Sequence, residues 1–244
     1  MTRVCIGIVC IGQTYNREFA KVFKPSVDAY ARKYGYDVRV FTEFLSSDTH
    51  PDCISFQKCL VPMQLLDYDC VVVLDADIYI HDYAPPIHTL LTDKIGIVDE
   101  VQQVNPDQYK ALGFASDPTD YYRLAGFGLQ TSHILNTGMM LCNPKLHAEY
   151  LQDIYTEYIG EAPGHSRRFH YEQGCIGYEL QVDNAFALLQ NQWNYIYMFN
   201  KYLKIPFARP FFLHFAGIGS RATELEHYLA VQRVQSTRRW GIKK

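Results

Sequence analysis

The chain has 244 residues, 48% of them hydrophobic and 20% charged, with a formal net charge of −3. That is enough chain for a core without staples, and the charge balance argues against a nucleic-acid surface. No apolar run reaches the roughly 18 residues a membrane helix needs.

The opening stretch, MTRVCIGIVCIG, is rich in β-branched residues, has one basic residue and lacks a small-residue cleavage site. It is expected to be a buried first strand over 3–11 rather than a signal peptide. Asn16 is a candidate cap for a helix carrying Phe19, Val22, Phe23, Val27, Tyr30 and Tyr34, kinked or restarted at Pro25 and ended by Gly35. YDVRVF (36–41) alternates like a strand, ISFQKCLVPMQLL suggests a short helix, CVVVL a third strand and IGIV (95–98) a fourth. This alternation is the signature of a mostly parallel α/β sheet. The segment from Asp99 to about Leu135 has no clean period and is expected to be a functional loop or lid. LNTGMMLCNP returns to strand character, PKLHAEYLQDIYTEYI and EQGCIGYELQ are helical, PFFLHFAG is a last strand and TELEHYLAVQRVQ a terminal helix. There is no N-x-S/T sequon, and the seven cysteines form no CxxC pair. Cys5, Cys10, Cys70 and Cys142 lie in apolar runs, as small buried hydrophobes of a reducing compartment. A cytoplasmic protein is the expectation.

Four short stretches carry chemistry. In VVVLDADIYI (71–80) an aliphatic strand runs into Asp75 and Asp77, separated by Ala76. Strand alternation would point both carboxylates the same way, where they repel each other and resist desolvation unless a cation sits between them. Alone, the pair also fits two turn aspartates. LNTGMML offers Asn136 and Thr137 beside Gly138, which permits close backbone approach, though a simple turn reads the same. In HYEQGCIGYEL, Glu172, Gln173 and Gly174 open a helix whose first turn favours an acid in any case. FFLHFAGIGS brings an apolar strand to His214, then Gly217 and Gly219; a lone histidine there is also an ordinary core residue, while glycine-rich backbone after a strand can wrap a phosphate.

Taken in order, DAD, NTG, EQG and HFAG resemble the nucleotide-sugar glycosyltransferases of the GT-A fold, closest to the glycogenin-like retaining enzymes of family 8, with some features of family 34. The resemblance spans roughly residues 3–221. It implies a Rossmann-like, mostly parallel sheet flanked by helices in a single 1–244 domain. The nucleotide-binding half would be about 1–100 and a smaller acceptor-side region would fill about 101–244. It further implies that Asp75, Asp77 and His214 hold a divalent metal, usually manganese, with magnesium as the alternative. Tyr15 would stack on the uracil of a UDP-sugar, with Gly12 in the same loop. Lys58, Ala76, Asn136, Thr137, Gly138 and Gly217 would line the donor, and Glu172 and Gln173 would flank the transferred sugar as the catalytic pair. Two departures stand out. Ser220 occupies the position of a diphosphate-gripping lysine, with Arg221 one place on, and Glu172 replaces an aspartate. The partners implied are a nucleotide-sugar donor and a glycan or other hydroxyl acceptor.

Three other readings compete. A sugar-nucleotide pyrophosphorylase would need a glycine-rich basic loop after the first strand, which CIGQTYNRE lacks. A DxD phosphatase would carry the motif on its first strand, not its third. A non-catalytic carbohydrate- or nucleotide-binding module would have no chemical need for Asp75, Asp77, His214 and Gln173 together.

Overall fold

The computed structural model describes residues 2–47, 50–113, 117–162, 172–205 and 209–240, with side chains to Arg233. β1 (Val4–Val9) is followed by a short helix α1 (Gln13–Glu18), a π-turn (Phe19–Phe23), α2 (Lys24–Tyr34) and β2 (Asp37–Phe41). The expected cap at Asn16 gives way to Gly12. The helix already starts at Gln13, after Gly12 at φ 100°, and the Asn16 amide donates to the Gly12 carbonyl at 2.9 Å. Pro25 supplies no backbone N–H, and the turn before it widens into the π-turn. Gly35, left-handed at φ 71°, ends α2 as expected.

Between β2 and β3 (Cys70–Asp75) the chain makes tight 3₁₀ turns at Pro51–Leu60 and Pro62–Leu65 instead of the expected α-helix, and Pro62, inside the expected span, lacks the N–H that would join the two. These turns pack directly on β1. A Cβ on Gly7 would come within 2.5 Å of Val61, so the bare backbone of Gly7 is what admits them.

β4 (Ile78–Ile80) and β5 (Ile95–Asp99) follow, then β6 (Leu135–Cys142), α5 (Pro144–Ile159), α6 (Gln173–Val182) and β7 (Phe186–Leu189). The main sheet has the order β2-β1-β3-β6-β5-β7. It is parallel except for β6, which runs antiparallel to both β3 and β5. Side chains alternate across it. Val4, Ile6, Ile8, Val72 and Leu74 join Phe23, Val27 and Tyr30 in one core. Cys5, Val71, Val73 and Met140 face the other way, against Leu151, Ile154, Cys175 and Ile176. Each such buried aliphatic contributes about 1.5–3 kcal/mol. All seven cysteines are free and buried.

A second, three-stranded sheet joins β4 to β9 (Phe212–His214) and β8 (Tyr195–Ile196) in the order β4-β9-β8. Helix α7 (Tyr197–Leu203) follows β8, and the last helix, α8, spans Arg221–Trp240. The segment after β5 is more ordered than its sequence period suggests. Two short helices, α3 (Pro106–Ala111) and α4 (Pro118–Leu124), are capped by Asn105 and Asp117, and with Ile196 and Phe199 they bury a third core of Val104, Tyr109, Tyr121 and Tyr122. Residues 114–116 of that segment lie outside the described residues. Among the described residues no helix is long and apolar enough to cross a membrane.

Candidate functional site

The carboxyl ends of β1, β3 and β5 share one edge of the sheet with the amino end of antiparallel β6, and a cavity of about 590 Å³ opens there. Asp75 is the last residue of β3, and Ala76 and Asp77 turn into β4. The two carboxylates therefore converge through a turn and not through strand alternation. β4 then pairs with β9 so that Ile78 faces His214, and the Phe215 amide donates to the Asp77 carbonyl at 3.0 Å. The small second sheet is the device that delivers His214 to the two aspartates.

The oxygens of each aspartate divide their work. Asp75 Oδ1 meets Lys58 Nζ at 2.7 Å and Asp77 Oδ2 meets Arg221 Nε at 3.0 Å. Asp75 Oδ2 and Asp77 Oδ1 point instead at His214 Nε2, at 3.7 and 3.3 Å. His214 Nδ1 lies 2.9 Å from Asn194 Oδ1, which fixes the proton on Nδ1 in the neutral ring and turns the Nε2 lone pair toward the aspartates. One ligand atom from each of the three residues falls within 4.8 Å of the others. Two carboxylate oxygens and an imidazole nitrogen make a donor set that fits a divalent metal. The expected repulsion between the aspartates is already eased by Lys58 and Arg221. Burial opposes charge on both carboxylates. His214 and Arg221 overcome it for Asp77, whose pKa is lowered, whereas Asp75 stays raised despite Lys58 and His214. Burial likewise opposes a charged His214, but Asp77 and Asp75 outweigh it and raise its pKa.

Gly138 has a different reason from the one its sequence suggests. A Cβ there would sit 2.2 Å from Cε1 and 2.5 Å from Nδ1 of His214, so the glycine makes room for the imidazole. The β5–β6 register slips nearby, with Ile97 facing Met140 but Val98 facing Asn136, and the bulge turns Asn136, Thr137 and Gly138 into the cavity wall. On the same wall Lys58 Nζ reaches Glu172 Oε1 at 2.5 Å and the Thr137 carbonyl at 3.3 Å, while the Thr137 hydroxyl donates to Glu172 Oε1 at 2.7 Å. Burial would raise the Glu172 pKa, yet Lys58 and Thr137 hold it below the ordinary value. Gln173 Nε2 donates to Glu100 Oε1 at 3.0 Å and to the Tyr121 hydroxyl at 3.1 Å.

Tyr15, on α1, and Gly217, left-handed at φ 70°, line the cavity. Gly12, Ala76 and Ser220 are not among its lining residues: Gly12 precedes α1, Ala76 is buried in the turn, and the Ser220 carbonyl accepts from the Glu224 amide at the start of α8. Arg221, next to Ser220, instead bridges Asp77 and Glu18, with its guanidinium 5.6 Å from the Tyr15 ring centre. Sequence reasoning missed Glu100 and Asn194. Glu100 lies at the carboxyl end of a buried apolar run, as Asp75 does, and that placement was a usable signal; nothing in NQWNYIY marks Asn194.

No family model and no curated protein matches the chain. Solved structures do. A glycosyltransferase involved in the glycosylation of the major capsid of PBCV-1 aligns over 91% of this chain and 98% of its own, with TM-score 0.57 and 16% identity. The galactosyltransferase LgtC, solved with donor and acceptor sugar analogues, aligns over 88% and 87%, with TM-score 0.50 and 13% identity. The WbbM bifunctional glycosyltransferase aligns over 88% of this chain but 46% of its own, with TM-score 0.56 and 15% identity. The chain has the GT-A glycosyltransferase fold that the sequence motifs led us to expect.

Proposed function

We propose that the protein is a metal-dependent glycosyltransferase that moves a sugar from a UDP-sugar to a hydroxyl of a glycan or similar acceptor, with retention at the anomeric carbon. The observation that carries this reading is the convergence of Asp75, Asp77 and His214 on a cavity whose other wall bears Lys58, Thr137, Glu172 and Gln173. A divalent ion held by the three, manganese or alternatively magnesium, supplies Lewis-acid stabilisation of the departing diphosphate.

The chain's own residues account for the rest. Tyr15, which lines the cavity, offers a ring for the base, and Arg221 and Lys58 hold the aspartates in place. Gln173 presents an amide beside the sugar, whose anomeric carbon gains positive charge as the bond to the diphosphate breaks. Retention is favoured because an inverting enzyme needs a carboxylate base for the acceptor hydroxyl. Glu172, the best candidate for that base, is occupied by Lys58 and Thr137, and its lowered pKa makes it a weak one. The acceptor is assigned to the side formed by the segment after β5, where Glu100 and Tyr109 line the cavity. Seven free, buried thiols fit a reducing cytoplasm.

The test is a screen of UDP-, GDP- and dTDP-sugars with Mn²⁺, reading nucleotide release, followed by NMR of the fresh product. UDP release and a retained anomer are expected. Binding without turnover would favour a carbohydrate- or nucleotide-binding module, and an inverted anomer would overturn retention.

A further inference from the structure

Building on the transferase reading, the geometry points to Glu100 as the positioning residue that sets which way the Gln173 amide faces. Glu100 stands immediately after β5, in a short turn closed by Asp99, whose Oδ1 accepts from the Val101 and Ile134 amides at 3.1 and 2.9 Å. This turn aims Glu100 into the cavity wall, where it is buried and meets three donors. Oε1 accepts from Asn136 Nδ2 at 2.7 Å and Gln173 Nε2 at 3.0 Å, and Oε2 accepts from the Tyr109 hydroxyl at 2.9 Å.

A carboxylate in that position is an acceptor only, so the NH₂ end of each facing amide must turn toward it. For Asn136 the choice is made three times, because the Gly138 amide and Asn194 Nδ2 also donate to Asn136 Oδ1, at 3.0 and 2.7 Å. For Gln173 the choice rests on Glu100. Its other contact, the Tyr121 hydroxyl at 3.1 Å, can donate or accept and so suits either amide orientation. With both protons of Nε2 directed at Glu100 and Tyr121, Oε1 is the end of the amide left for the cavity. A reversed amide would present N–H groups to a carbon that is gaining positive charge.

Glu100→Leu tests this, since it keeps roughly the volume but offers no acceptor. In Glu100→Gln, by contrast, the oxygen can still accept from Asn136 and Gln173 while the new NH₂ donates to the Tyr109 hydroxyl. In Glu100→Leu the rate of UDP release at saturating donor should fall about 10- to 100-fold, with donor KM and Mn²⁺–UDP affinity nearly unchanged. In a Gln173→Ala background the same substitution should cost nothing further, because the effect passes through Gln173. Orientation is read without turnover from the Gln173 side-chain amide resonances, identified by their loss in Gln173→Ala. In the wild type both protons should exchange slowly; Glu100→Leu should shift them and speed exchange, and Glu100→Gln should leave exchange slow. Tyr109→Phe, which removes a hydrogen bond from Glu100 but leaves it an acceptor, should not move them. Unchanged resonances in Glu100→Leu, fast exchange in Glu100→Gln, or losses that add with Gln173→Ala would overturn the inference. A wild type that turns over no nucleotide sugar would defeat the transferase reading instead, and the amide resonances would still decide the orientation.

Discussion

Asn194 Oδ1 lies 2.9 Å from His214 Nδ1, and it can face nowhere else. The Asn194 Nδ2 group already donates to the Asn136 side chain at 2.7 Å and to the Asn136 carbonyl at 3.3 Å. The sheet-edge asparagine thereby fixes the neighbouring one, which in turn fixes the tautomer of the histidine. Asn194→Ala is expected to weaken Mn²⁺ binding in the presence of UDP by about 10- to 100-fold, the usual range for losing a group that orients a metal-binding histidine. Titration calorimetry checks it, and an affinity within twofold of wild type would remove Asn194 from this role.

Gly138→Ala attacks the same histidine from the other side. The added methyl would overlap the imidazole, whose Cε1 and Nδ1 lie 2.2 and 2.5 Å from its position. Overpacking of this kind costs about 1–3 kcal/mol. The variant should fold with a lowered melting temperature and lose the further rise that Mn²⁺ plus UDP gives the wild type. A variant that melts and responds like the wild type would show that the ring has room to spare.

Asp77→Asn separates the metal reading from a simple turn. In isolation the DxD pair suggests unrelieved repulsion, so removing one charge should cost nothing without metal. The structure changes that expectation, because Asp77 Oδ2 is held by Arg221 Nε at 3.0 Å. Losing this charged hydrogen bond should cost about 1.5–3 kcal/mol in metal-free denaturation. Mn²⁺ with UDP should raise the wild-type melting temperature by linkage, and that rise should vanish in the variant. A variant still stabilised as much as the wild type would mean that the aspartates do not hold the ion.

The limits of the sequence are visible in these same residues. Asp75, Asp77 and His214 were legible because strand ends in α/β sheets are where polar groups have work to do, and each interrupts an apolar run. Arg221 was legible only as a stand-in one place beyond Ser220; its pairing with Asp77 and Glu18 depends on how α8 docks. The helices α3 and α4 were missed because hydrophobic period was sought where capping was the stronger signal. Asn105-Pro106 and Asp117-Pro118 are each a capping side chain followed by a proline in the first turn. Asn194 and the reversed direction of β6 depend on tertiary pairing that no local pattern encodes.

Tyr15 carries the donor prediction. It sits on α1 and lines the cavity, with the Arg221 guanidinium 5.6 Å from its ring centre. UDP with Mn²⁺ should bind more tightly than GDP, and Tyr15→Ala should weaken UDP by about 1–3 kcal/mol, the size of a lost base stack. Calorimetry with both nucleotides measures it. Equal binding of GDP and UDP would sink the base assignment, as would a substitution without effect.

His81 gives a pH dependence away from the metal-type cluster. It follows β4 and is buried, with Nε2 3.0 Å from the Tyr228 hydroxyl of α8 and its ring stacked on Tyr83 at 4.7 Å. Tyr79 meets it edge-on, and Asp82 and Arg209 are the nearby charges. Burial lowers its pKa from 6.5 to about 4; Arg209 adds to the shift and Asp82 opposes it. Between those two values the unfolded chain takes up a proton that the native protein refuses, so stability must fall as the pH drops through that window. Above pH 6.5 neither state is protonated and this residue has no effect. The full fall amounts to about 3 kcal/mol. Urea unfolding at a series of pH values should show it, and His81→Gln, which keeps an acceptor for Tyr228 but cannot titrate, should flatten the slope even though it lowers stability at neutral pH. Parallel pH profiles for the two proteins would mean that His81 takes its proton in the folded state as readily as in the unfolded one.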